Sequence, residues 1–449
     1  MNADPRPSNV PTAPGGTPSP RRRLGVRWRI FILLLGIVTV NYIDRGTISV
    51  ALPLIRKDLG FSADTAGFIL GAFFWSYALM QIPGGWLADK VKPRRVVSGT
   101  VVGWGAAQAL TGLASSVPVF YFLRLLLGFF EGPVYPSGGK LNATWMPKRD
   151  RSRGATLLDG GAPLGSALGG IIISGLIGVF GSWRLSFIVV GVLTCLFGIY
   201  AYWYIRDEPA EHRAITADEV RYIKEQHAIE DGEVAAEERK RKPLYRYLRF
   251  PAFWWMCLGW LGFDVVFYGL LTWGPSYLAE TKGFDIGAIG YSTLVIFGAG
   301  FVGELVGGYL SDAWRARRER LHGSTSPNLV NRVLLGISGV FVVGGLIGVT
   351  YVPNPAAAVT FLSIVLFFLR WAGIYWSVPT ILGGRDDAGV LGGAMNLSGN
   401  IGGAVTPVVV GLIVGATGTY HLALLFFVGG GLLYLASSVF LNYARRLPA

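Results

Sequence analysis

From residue 388 to residue 444 the chain carries no Asp, Glu, Lys or Arg, and residues 96–123 and 185–205 are likewise free of charge. A hydrocarbon core about 30 Å thick is crossed by roughly 20 apolar helical residues, so the longest of these runs holds two crossings. Composition agrees: 52% of the 449 residues are hydrophobic and 15% are charged, against about 25% charged in soluble domains. The chain is read as an all-α, multi-pass membrane protein.

Twelve apolar segments follow, at 28–53, 65–88, 96–115, 118–142, 153–180, 184–204, 251–279, 286–312, 329–350, 357–382, 388–416 and 420–443. Basic residues collect in alternate loops: Lys90, Lys92, Arg94 and Arg95 after the second span, Lys148, Arg149, Arg151 and Arg153 after the fourth, Arg315, Arg317, Arg318 and Arg320 after the eighth. On the alternate side, loops 3–4, 9–10 and 11–12 have no Lys or Arg, loops 5–6 and 7–8 have one each, and loop 1–2, with Arg56 and Lys57, is the one mild exception, which predicts that both termini are cytoplasmic. The net charge of +13 is therefore topological, and nucleic acid is not an expected partner. Residues 1–27 are expected to form a disordered cytoplasmic segment, 28–204 a six-helix half, 205–250 a cytoplasmic linker, 251–443 a second six-helix half and 444–449 a tail. In the linker, Thr216 and Glu219 of "TADE" form the pattern of a capping box that opens a short amphipathic helix.

The halves repeat one another. "GGWLAD" (84–89) ends the second span and "GGYLSD" (307–312) ends the eighth, each followed by basic residues. Gly85 and Asp89, with Arg94 beyond, thus correspond to Gly308 and Asp312. The glycine-dense stretches "DGGAPLGSALGG" and "GGAMNLSGNIGG" correspond in spans five and eleven. Internal repeats of this kind are characteristic of secondary transporters, and small residues allow close helix packing.

Within this apolar chain stand Asp44, Arg45, Arg124, Glu131, Asp264 and Arg370, with Asp159 and Glu304 placed nearer the cytoplasmic half. Each such charge costs about 2.5–3.5 kcal/mol on insertion scales, so pairing and a wet cavity are expected, with Asp44 and Arg45 facing the aqueous interior. Arg124 and Glu131 are seven residues apart and share a helix face, whereas Asp44 and Arg45 diverge by about 100°. Helical phase predicts that Asp44 pairs with Arg124 and Arg45 with Glu131. Tyr42 shares a face with Arg45. The alternative is a static ion network that only locks spans one and four together.

The segments "NYIDR", "FFWSYALMQIPGGWLAD", "LRLLLGFFEGPVYP" and "YGLLTWGPSYL" resemble the major facilitator superfamily, and within it the anion:cation symporter family. The Gly85, Asp89, Arg94 pattern is similar to the superfamily's loop signature, with Lys92 where glycine is usual. The resemblance implies twelve helices in two pseudo-symmetric halves, and proton-coupled uptake of a small organic anion (a sugar acid, aromatic carboxylate or dicarboxylate) by alternating access in a bacterial inner membrane. Asp44 and Glu131 are then the proton-coupling carboxylates. Arg45 and Arg124 hold the substrate carboxylate, since arginine stays charged and offers forked donors. Tyr42, Tyr77, Tyr268, Trp376 and Asn396 are candidate substrate contacts, with interior packing as the alternative.

Arg370 and Asp159 depart from the family pattern. Arg370 is either a second anion anchor or an internal partner of Asp264 or Glu304. Asp159 is a third titratable group or a gate residue. Lys140 and the basic loops serve the inner gate. No cofactor is expected beyond the proton gradient, and no metal, since the four His and two Cys show no ligand spacing. The chain is expected to act as a monomer. An efflux antiporter is the runner-up, a channel or receptor the reading from another class, and an enzyme lacks any nucleophile–base or phosphate-cradling motif.

Overall fold

A computed structural model of the protein describes residues 25–236, 244–322, 327–444 and 447. Of the segment 1–27 expected to be disordered, residues 1–24 lie outside the described residues, as does most of the tail, whereas Val26 and Arg27 are ordered in the first turn of α1, where the Glu219 carboxylate accepts their N–H groups. The regular structure of the described residues is helical, in the order α1 (Val26–Leu59), α2 (Ala63–Val91), α3 (Pro93–Thr111), α4 (Val117–Glu131), α5 (Val134–Trp145), α6 (Lys148–Phe180), α7 (Trp183–Tyr204), α8 (Ala217–Ala236), α9 (Pro251–Lys282), α10 (Ile286–His322), α11 (Pro327–Tyr351), α12 (Pro355–Leu369), α13 (Val378–Thr417) and α14 (His421–Phe440).

Among the described residues, eleven stretches are long and apolar enough to cross a membrane. The twelfth crossing is α3, whose Ser, Thr, Gln and paired Arg94 and Arg95 lower its hydropathy although Trp104 and Val101 are fully buried in the bundle. Two crossings are broken. The fourth consists of α4 and α5, interrupted at Gly132 and Pro133. The tenth passes from α12 into a 3-10 stretch at Arg370–Ser377 before α13 begins. Irregular backbone at membrane depth is tolerated where it lines a cavity, and Arg370 stands at the start of that stretch.

The repeat is written into the helix stops. Glycines in the left-handed region close α1, α6, α9 and α13: Gly60 (φ 65°), Gly181 (63°), Gly283 (71°) and Gly418 (67°). These end spans one and five of the first half and seven and eleven of the second. A side chain there would collide with the following carbonyl, which is why glycine is used. The glycine-dense stretches also do equivalent work. Gly161 of α6 lies against the Leu35 carbonyl of α1, and Gly402 of α13 lies against Leu261 of α9.

The halves meet at the end of the bundle remote from the termini. Arg56 in the last turn of α1 bonds Glu280 of α9 at 2.6 Å, Gly67 of α2 packs on Pro407 and Gly411 of α13, and Gly290 of α10 packs on Ser174 of α6. At the opposite end the linker helix α8 docks on α1. Thr216 Oγ1 accepts the Glu219 N–H at 3.3 Å, as a capping box requires. The Glu219 carboxylate does not return to Thr216. It accepts the N–H groups of Val26 (3.0 Å) and Arg27 (3.3 Å) and so caps α1, whose own cap residue is Gly25.

Candidate functional site: a chamber between the halves

A close crossing of α2 and α4 positions the buried charges. Gly128 sits against the Phe73 carbonyl and Ser76, and Gly132 against Tyr77 and Met80, so that no Cβ separates the helices. Arg124 and Glu131, on either side of Gly128, are thereby held against α2 and α1. Arg45 Nε lies 3.1 Å from Glu131 Oε2, the pairing that helical phase predicts. The guanidinium is faced by the rings of Tyr42 at 4.6 Å, Phe73 at 4.8 Å and Tyr77 at 4.6 Å. Arginine suits such a box because its planar, weakly hydrated charge stacks on aromatic faces.

Asp44 does not pair with Arg124. Its Oδ2 accepts the indole N–H of Trp104 at 2.9 Å, and among the described residues no ion pair joins the two. Trp104 offers a donor that needs an acceptor when buried, and the 100° step from Arg45 turns Asp44 toward α3. Arg124 instead rests over Phe73, 5.2 Å from the ring centre. The expectation that Asp44 and Arg45 face an aqueous interior is corrected too: they are buried, and Tyr42 and Tyr77 stand between Arg45 and the cavity.

That cavity, about 270 Å³, lies between the halves. From the first half it receives Tyr42, Tyr77 and Asp159. From the second it receives Asp264, Tyr268, Glu304, Arg370, Trp376 and Asn396. Arg370 is bonded to Glu304 at 2.5 Å, which realises the internal pair, and its guanidinium also lies over Phe267 at 5.4 Å. Asp264 is in the wall without a hydrogen bond or ion pair among the described residues. Trp376 is 46% exposed, so it is a wall residue and not core. Lys140 is elsewhere, bonded to Asp89 at 2.5 Å at the terminal end of the bundle. Arg94 there donates its side-chain Nε–H to the Tyr202 carbonyl and its backbone N–H to Asp207 Oδ1. Lys92 adopts φ 86°, the one positive φ outside glycine among the described residues. Asp312, the counterpart of Asp89, is exposed.

Sequence reasoning missed Gln81, Tyr135, Trp260, Phe263, Phe267 and Asn400 in the wall, and Trp104 behind it. Helical phase could have found several: Gln81 is four residues after Tyr77, Trp260 four before Asp264, and Asn400 four after Asn396.

The family model of the Major Facilitator Superfamily matches residues 34–407. The chain belongs to the Major Facilitator Superfamily. This superfamily member is a transporter and not an enzyme. It is 33% identical to a probable sulfoacetate transporter of Cupriavidus necator, covering 94% of this chain and 95% of that one. It is 29% identical to a hexuronate transporter of Bacillus subtilis (93% and 94% covered) and 28% identical to a probable galactarate/D-glucarate transporter of Escherichia coli (90% and 92%). These relatives belong to the anion:cation symporter branch that the sequence motifs resemble. The crystal structure of a bacterial homolog of the human lysosomal transporter Spinster shares the fold, with a TM-score of 0.73 at 18% identity, covering 94% of this chain and 99% of that one.

Proposed function

We propose that the protein imports a small organic anion together with protons, by alternating access, across a bacterial inner membrane with both termini in the cytoplasm. The observation that carries this reading is the chamber itself. It lies between two repeated halves, is closed by contacts at the far end, and has Arg370 in its wall with the Arg45–Glu131 pair one tyrosine layer behind. The relatives named for sulfoacetate, hexuronate and galactarate or glucarate all carry small acids, and a cavity of about 270 Å³ is matched to small molecules.

The basic loops after spans two, four and eight lie at the terminal end, which supports a cytoplasmic assignment of that end. The contacts at the opposite end then correspond to a closed outer gate, and rocking of the halves would open it.

Coupling follows from the buried pair. A proton on Glu131 removes the negative charge that holds Arg45, and the guanidinium is then free to turn between Tyr42 and Tyr77 toward a substrate carboxylate or sulfonate. Oε1 of Glu131 and Oδ1 of Asp44 are buried without a hydrogen-bond partner, so each can take a proton without breaking an existing bond. Asp44 acts beside Arg124, whose Nε is likewise unpartnered. The energy is that of the proton gradient, and no cofactor takes part.

The test is uptake of labelled sulfoacetate and galactarate into proteoliposomes. Accumulation under an inward proton gradient that collapses with a protonophore is expected. Flux indifferent to the gradient would make the protein a facilitator, and no flux of any organic acid would remove the reading.

A further inference from the structure

The charged groups in the chamber wall do not balance. Asp159 of α6, Asp264 of α9 and Glu304 of α10 face a single guanidinium, Arg370, and Glu304 already holds that guanidinium at 2.5 Å. An entering anion would meet one occupied cation and two unpaired carboxylates. Like charges in a partly desolvated cavity repel strongly, so at least one carboxylate must be neutral when the anion is bound.

Asp264 is the group so placed. It is 6% exposed, lines the chamber, and has neither hydrogen bond nor ion pair among the described residues. Its Oδ2 is pressed against Gly399 of α13, where even a methyl group would overlap it. The indole N–H of Trp260, one helical turn earlier, faces the same glycine and is buried without a partner. Asp159, by contrast, is only half-buried. The other polar groups facing Asp264 in the chamber are Tyr42 of α1, Tyr77 and Gln81 of α2, Tyr135 of α5, Tyr268 of α9, and Asn396 and Asn400 of α13, and none of them is a cation. A buried carboxylate without a partner is costly, and protonation removes the cost.

We propose that Asp264 is a second proton carrier, lying in the C-terminal half and neutral whenever the chamber holds an anion. The inference rests on the organic-anion reading above. The step forms one O–H bond between a chamber proton and an Asp264 carboxylate oxygen and breaks no bond in the substrate. When the anion leaves on the other side, the same proton returns to water. Each anion thus travels with one proton more than the Asp44–Glu131 region carries.

The experiment counts protons. Binding of sulfoacetate to the full chain in nanodiscs is followed by calorimetry at about pH 6 and about pH 8, in two buffers of different ionisation heat. Asp264→Asn is expected to take up about one proton fewer per anion, and to retain affinity at the higher pH where the native protein loses about tenfold per pH unit. Infrared difference spectra of the same samples should show a protonated carboxyl band in the native protein that Asp264→Asn lacks, a readout that needs no intact transport. An unchanged proton count and an unchanged band in the variant would overturn the proposal alone. If the native protein bound neither sulfoacetate, galactarate nor benzoate at either pH, the organic-anion reading would fall and this one with it.

Discussion

Arg45 and Glu131, 86 residues apart, meet at 3.1 Å inside a box formed by Tyr42, Phe73 and Tyr77. Their positions follow from the α2–α4 crossing, which depends on glycines where the helices touch. A buried ion pair is weak evidence for stability, since desolvation offsets much of its attraction. In the proposed coupling its value is that one proton changes what the arginine is bound to.

The crossing itself is testable. Gly128→Ala would push a methyl group into the Phe73 carbonyl, which is backbone and cannot swing aside. Overpacking of this kind costs about 1–3 kcal/mol. A lower Tm is expected, together with weaker sulfoacetate binding, because the shift separates Glu131 from Arg45. A variant with native Tm and native affinity would show that the crossing is slack.

Lys92 presents the opposite case. Its φ of 86° lies where a side chain is strained by about 1–3 kcal/mol, and its contact with Glu211 is long, at 3.9 Å, and solvent-exposed. Lys92→Gly should therefore raise the Tm, by an amount reduced by the greater freedom glycine gives the unfolded chain. A lower Tm would mean that the lysine side chain contributes more than its backbone costs.

In the proposed transport reading, Arg370 is the second half's anchor for the substrate. With Arg370→Gln, Glu304 loses its partner and the chamber loses the one cation that its wall holds among the described residues. Affinity for dianions such as galactarate should fall at least tenfold (about 1.4 kcal/mol), a larger loss than affinity for the monoanion benzoate suffers. Equal losses for both would reduce Arg370 to a partner of Glu304.

His212 makes the linker dock sensitive to pH. Burial and then the nearby Arg206 hold its imidazole below the ordinary range. Its Nδ1 accepts the Ala214 N–H at 3.2 Å, and its ring packs edge-on to Trp145 and Tyr204. A depressed folded-state value means the contribution is complete above the unfolded value of about 6.5 and is lost as pH falls below it. The Tm of the native protein should drop between about pH 7 and about pH 5 more steeply than that of His212→Gln. Parallel curves would place the acid sensitivity elsewhere.

The fold was largely legible because a bilayer reduces the choices. Charge-free runs give the spans, and the paired Gly-Gly…Asp stops give the repeat. Helical phase was enough for Arg45 and Glu131, which lie on facing stretches of long helices. It failed for Asp44, because the competing donor, Trp104, belongs to a third helix whose rotation the sequence does not fix. The Glu219 cap on α1 was hidden for a related reason: the capping pattern is local, while the carboxylate's acceptor role is set by docking over 193 residues. The chamber's charge imbalance was legible residue by residue, but which acids share one wall depends on how the halves are packed.

Gradient-driven uptake by the carboxamide variants tests the central claim most directly. In proteoliposomes, Glu131→Gln and Asp44→Asn should each lose accumulation of sulfoacetate against its gradient while Glu131→Gln still exchanges internal for external sulfoacetate. If both variants accumulate it under a proton gradient as the native protein does, those carboxylates do not couple proton to anion.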